Sequence, residues 1–140
     1  MKFNVCAVFV IFIKNNKVLL QKRFNTGYND GLYDLISGHV ENKETFKQSA
    51  VREVKEECGL LVKEENLDFQ CIMHRRADDH YYDTVDVYFK ALKWTGTPKI
   101  NEPDKCDNLE WFSLKKLPKN MCPYVKEVLE NLDKNYLEYM

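Results

Sequence analysis

Glu44, Arg52, Glu53, Glu56 and Glu57 crowd into the stretch 44–57 of this chain. If that stretch is helical, at about 100° per residue the last three glutamates fall within an arc of roughly 100°. Like charges at these spacings cost a few tenths of a kcal/mol per pair unless something cationic lies between them. A hard divalent cation with oxygen preference, Mg²⁺ or Mn²⁺, answers that need, because the cluster offers carboxylates and neither Cys nor His. The bland alternative is a solvated helix face laced with ion pairs, for which Arg52 and Lys55 provide partners.

The elements that would position these side chains can be read locally. Thr45, with Gln48 three residues later, has the form of a capping box, and Gly59 suits the left-handed residue that closes a helix. The helix is therefore predicted over 46–58. Ahead of it, Val5 to Ile13 is rich in Val, Ile and Phe, Lys14-Asn15-Asn16-Lys17 supplies turn chemistry, and Val18 to Gln21 resumes the apolar pattern, which reads as a β-hairpin. Asn25, Gly27, Asn29, Asp30 and Gly31 make the next segment a loop before a short strand, Tyr33 to Ile36. Downstream, Asp83 to Leu92 alternates as a strand with Val85, Val87 and Phe89 on one face, and Asp107 to Phe112 forms another. Pro123 fits a first helical turn, and Val125, Val128, Leu129, Leu132 and Tyr136 recur at helical spacing. The order of elements predicts a mixed α/β sandwich.

Bulk properties bound the rest. The chain of 140 residues has room for one domain, 1–140, with a useful core. Its 44% hydrophobic and 13% aromatic content is ordinary for a folded protein. A net charge of -1 from 21 basic and 22 acidic side chains gives no field that would steer it to nucleic acid or anionic lipid. The apolar start, MKFNVCAVFVIFIKNNK, is interrupted by Asn4, lacks an A-x-A cleavage site and falls far short of the roughly 20 residues that span a bilayer, so a buried strand is expected. Cys6, Cys58, Cys71, Cys106 and Cys122 form an odd set without a CxxC pair, which favours a reducing, cytoplasmic setting over a disulfide framework or a zinc site.

Gly38, Glu44, Arg52, Glu53, Val54, Glu56, Glu57, Gly59 and Leu60 satisfy G-x5-E-x7-R-E-U-x-E-E-x-G-U, where U is aliphatic. This pattern resembles the Nudix box, and the chain is identified as a MutT-like member of the Nudix hydrolase superfamily. The leading hairpin, the approach Tyr33 to Gly38 and the segment Leu109 to Pro118 look like further counterparts. Ser37-Gly38 stands where the family usually has Gly-Gly, and Ile36 at its usual Pro. The resemblance implies a Nudix-type α/β/α sandwich with a mixed sheet and hydrolysis of a nucleoside diphosphate linked to another group. A nucleoside triphosphate cleaved to monophosphate and pyrophosphate is the first expectation. ADP-ribose, nucleotide sugars or dinucleotide polyphosphates are the alternative substrates, and a nucleotide-sensing module without turnover is the alternative class.

By the same resemblance, Glu53, Glu56 and Glu57 would be metal ligands, joined by the Ser37 backbone carbonyl and by Glu102 from a distant loop. Glu53 or Glu56 would also accept the attacking water's proton. Arg52 would orient the carboxylates and Glu44 would brace the loop–helix junction. Arg23 and Gly38 would meet the substrate, Arg23 through phosphate. The expected partner is a small nucleotide, with neither nucleic acid nor membrane, and a homodimer is left open. The cluster His74, Arg75, Arg76, Asp78, Asp79 and His80 reads as a polar turn between strands in preference to a second phosphate or metal site. Trp111 and Tyr33 read as core aromatics in preference to base-stacking ones.

Overall fold

A computed structural model describes residues 4–76 and 82–139. The apolar residues of the first half build two sheets at once. Strand β1 (Asn4–Ile11) lies inside a five-stranded mixed sheet, paired antiparallel with β5 (Ile36–His39) and parallel with β7 (Asp83–Ala91). Strand β6 (Leu67–Arg75) follows β7 antiparallel, and β9 (Tyr136–Tyr139) closes the far edge parallel to β6. The second sheet is built on β3 (Lys17–Arg23), which pairs antiparallel with β2 (Ile13–Lys14), β4 (Tyr33–Asp34) and β8 (Cys106–Ser113).

The expected hairpin is thus divided. Only β2 pairs with β3, across a turn in which Asn15 and Asn16 take positive φ (53° and 61°), the backbone that two-residue hairpin turns require. The main body of the apolar run, β1, belongs to the other sheet, and the chain changes sheets at the fully buried Phe12. The strand expected from Tyr33 to Ile36 is divided likewise, at the fully buried Leu35. Both strands carry apolar residues on both faces, so each segment can be covered from either side.

Helix α1 (Phe46–Cys58) has the predicted bounds, and the reason is local. The Thr45 hydroxyl accepts from the Gln48 amide at 3.0 Å while the Gln48 side chain accepts from the Thr45 amide at 3.0 Å. Gly59 then takes φ 74° and its N–H returns to the Lys55 carbonyl. Helix α2 (Pro123–Leu129) is shorter than its periodicity predicted. Tyr136 belongs to β9, because the backbone there bonds to β6: Ile72 donates to the Asn135 carbonyl and Arg76 to the Tyr139 carbonyl.

The core has two parts, one on each side of the five-stranded sheet. Ala50, Val54 and Cys58 of α1 pack with Val8, Val10, Phe12, Val87 and Phe89. Tyr124, Val125 and Val128 of α2 pack with Phe9, Ile11, Met73 and Tyr88. The architecture is the expected α/β/α sandwich. Strand β7 is covered on both faces, so the expected apolar face Val85, Val87 and Phe89 is backed by a second buried row, Thr84, Asp86 and Tyr88. Tyr33 packs edge-to-face on Phe112 and Trp111 stacks near Trp94, which makes both core aromatics.

Candidate active site

The glutamates of α1 lie beside β5, the edge strand of the five-stranded sheet, where β3 of the second sheet also reaches them. Glu57 accepts from the Gln21 side-chain amide at 2.5 Å and lies 3.5 Å from the Ser37 backbone nitrogen, which points its N–H toward it. Burial lifts the Glu57 carboxyl well above the usual carboxylate range, and its contact with Glu53 adds to the effect. Glu53 lies against Gly38: a Cβ at that position would run into the Glu53 carboxyl group. Any side chain at this position would have to push the Glu53 carboxyl group aside.

Arg52 gathers the remaining acids. Its guanidinium donates to Glu44 at 2.6 and 3.0 Å, to Glu53 at 2.8 Å and to Glu56 at 3.2 Å, and reaches the His39 carbonyl at 3.2 Å. The hydrogen bond from Arg52 holds the Glu44 carboxyl down at about 2. Glu44 also accepts from the Glu41 amide at 3.0 Å, so it ties the loop before the helix to the helix itself. Glu56 is the most open of the set, its side chain 52% exposed.

A cleft of about 460 Å³ opens beside these residues, lined from both sheets and both helices. Glu53, Glu57, Ser37 and Gly38 form one end, and Glu102 and Lys105 reach it from the loop before β8. Burial raises the Glu102 carboxyl, with further contributions from Glu53 and Glu56, so the structure brings the distant loop acid to the same place. Ala7 and Phe9 form an apolar floor, and Arg23, Asp34, Arg75 and Tyr124 line the remainder. Arg23 faces the cleft with its donors engaged: Nε to the Tyr28 carbonyl at 2.7 Å, Nη1 to Asp34 at 3.3 Å and Nη2 to the Thr26 hydroxyl at 3.2 Å. It therefore anchors the loop 24–32 as well as lending charge to the cleft.

Several residues here escaped the sequence reading. Gln21 had a signal, a polar side chain in an apolar run, and it is buried with its amide on Glu57. Lys105 had none, being one lysine among many. Asp34 is buried, and desolvation pushes its carboxyl up to about 6 against the pull of Arg23. His74 and Arg75 lie on β6 instead of in a turn, where Arg75 pairs with Asp86; Asp78, Asp79 and His80 lie outside the described residues.

Among the described residues, no three Asp, Glu, His or Cys side chains stand as a ready-made metal cage. The donor set still fits a hard divalent cation. It is all oxygen, and two carboxyl groups, Glu53 and Glu57, lie in contact, which is tolerable only with a proton or cation between them. Arg52 supplies that cation for Glu53 and Glu56 from one side.

The fold and this cleft define a class: an α/β/α sandwich whose acidic helix and basic inner wall face one another across a pocket of nucleotide size. A family model described as NUDIX domain matches residues 4–132. An ADP-ribose pyrophosphatase of Methanocaldococcus jannaschii is 46% identical over 113 residues, covering 81% of this chain and 64% of the relative. An oxidized purine nucleoside triphosphate hydrolase of Danio rerio is 30% identical over 116 residues, covering 78% and 66%. The chain thus spans about two thirds of the length of these relatives. Among solved structures, a MutT NUDIX hydrolase from Burkholderia pseudomallei superposes with a TM-score of 0.86 at 23% identity, covering 92% of this chain and 98% of that one. The chain belongs to the NUDIX family.

Proposed function

We propose that this protein hydrolyses the phosphoanhydride of a nucleoside diphosphate linked to another group, with a nucleoside triphosphate cleaved to monophosphate and pyrophosphate as its main reaction. The observation that carries the reading is the contact of Glu53 and Glu57 at the end of a cleft that Arg23 and Lys105 also line. Glu53, Glu56 and Glu57, with Ser37 and Glu102 beside them, would hold Mg²⁺ or Mn²⁺. Bound there, the ion supplies positive charge against the phosphoanhydride, which would otherwise be repelled by the acids.

This chain's residues do the positioning. Gln21 and the Ser37 N–H face Glu57, and Arg52 aims Glu53 and Glu56 while Glu44 braces Arg52. Glu53 or Glu56 accepts the proton of the attacking water as the new bond to phosphorus forms and the bridging oxygen leaves on pyrophosphate. Arg23 and Lys105 offset the charge of the phosphates along the cleft. The five cysteines are all free, which supports a reducing, cytoplasmic setting, and no helix among the described residues is long and apolar enough to cross a membrane.

The test is nucleotide product formation with Mg²⁺, separated by chromatography, over nucleoside triphosphates, ADP-ribose, nucleotide sugars and dinucleotide polyphosphates, beside Glu57→Gln and Glu56→Gln. We expect metal-dependent turnover, fastest on triphosphates, reduced about 100-fold or more by either substitution. Faster turnover of ADP-ribose would reassign the substrate in line with the Methanocaldococcus relative. Saturable nucleotide binding with no turnover on any member would instead identify a sensing module.

A further inference from the structure

The proposed chemistry uses one end of the cleft, and the other end holds a second built arrangement. Arg75 lines the cleft with its side chain only 14% exposed. Its Nε and Nη2 donate to the two carboxylate oxygens of Asp86 at 2.8 and 3.4 Å, and Asp86 is fully buried. Its Nη1 donates to the Tyr28 hydroxyl at 3.3 Å. The guanidinium carbon sits 4.1 Å from the centre of the Tyr124 ring, and the Tyr124 hydroxyl accepts from Asn29. An arginine clasped by a buried carboxylate and layered on an anchored ring has little freedom, so its remaining donors are aimed.

A guanidinium carries five N–H groups. Among the described residues, Asp86 takes two and Tyr28 one, which leaves two, one on each terminal nitrogen. Asp86 is aligned with Ala7, and Ala7 with His39, so Asp86 lies two strand positions in from the edge strand β5. At about 4.8 Å per strand that is roughly 10 Å from the acidic end. The floor between, Ala7 and Phe9, is apolar and suits the face of a sugar or ring.

We propose that Arg75 is the specificity-determining residue of this cleft and that its two remaining N–H groups read the adjacent O6 and N7 acceptors of a 6-oxopurine base. This rests on the nucleotide reading of the acidic end. The paired acceptors of a 6-oxopurine match the fork of an arginine, whereas adenine presents an amino donor beside N7 and meets the same fork with repulsion. The 2-amino group of guanine plays no part, so guanine and hypoxanthine nucleotides are equivalent to this site.

The experiment has two arms. In the first, kcat/KM with Mg²⁺ is compared for GTP, ITP, ATP and CTP on the wild type and on Arg75→Lys, which keeps the charge opposite Asp86 and loses the fork. In the second, dissociation constants of GMP, IMP and AMP are measured by calorimetry in EDTA, where no hydrolysis occurs. We expect GTP and ITP to be favoured equally, about 10- to 100-fold over ATP and CTP, the same order among the monophosphates, and a ratio near one in Arg75→Lys. Should that variant not fold, Arg75→Met combined with Asp86→Asn removes both charges together and serves the same comparison. Equal use of ATP and GTP, a large preference for GTP over ITP, or a preference that survives loss of the fork overturns the assignment. Base discrimination in EDTA without turnover of any triphosphate leaves it standing and refutes the triphosphate reading; turnover without discrimination does the reverse.

Discussion

Arg52 is the residue on which the acidic ridge depends, because it lets Glu44, Glu53 and Glu56 lie side by side without mutual expulsion. A lysine would keep the charge and lose the planar fork that touches several carboxylates at once. Arg52→Lys is therefore expected to fold and to lower kcat by about 10- to 100-fold, as losing an outer positioning group does in metal sites; thermal unfolding beside the kinetics checks that the loss is catalytic. Glu44 carries the pH signature of this contact. Its carboxyl is held near 2, below the ordinary 4.5, so the stabilisation is complete above about 4.5 and is lost as pH falls toward 2. Denaturant titrations of Glu44→Gln should lack that part of the acid slope, a modest difference because water screens the pair. Gly38 is the other decisive residue. Gly38→Ala should displace the Glu53 carboxyl and cut activity while changing the α1 cap not at all, which amide exchange at Gln48 would report.

At the scale of the element, α1 was legible to the residue because its signals are local: Thr45 and Gln48 bond to each other and Gly59 turns the chain. Thr45→Ala should cost about 1 kcal/mol in chemical denaturation. The strands were less legible. In β6 a bulge between Phe69 and Cys71 breaks the alternation on which a strand is recognised, and that strand went unread. In β9 only Leu137 is buried, and its pairing partner is more than sixty residues away in the chain, at Met73. Nothing near Tyr136 announces that partner, while Leu132 and Tyr136 continue the helical period of α2. The acidic half of the site was readable because one helix carries it. Of the rest of the cleft only Arg23 was, since Arg75, Asp34 and Lys105 reach it from separate elements, β6, β4 and the loop before β8.

At the scale of the molecule, the cleft stores an unfavourable group. Asp34 titrates near 6 in the folded protein against 3.8 for the free side chain. A raised carboxyl favours the fold most below 3.8, and that contribution is lost as pH rises through 6. The wild type should therefore lose on the order of 2–3 kcal/mol relative to Asp34→Asn between those limits, seen as a widening gap in urea midpoints that levels off above neutrality. The two places where the chain changes sheets, Phe12 and Leu35, are both sealed in the core. Asp34 and Ser37, on either side of Leu35, both line the cleft. The packing that seals the core therefore also sets where two of its walls stand.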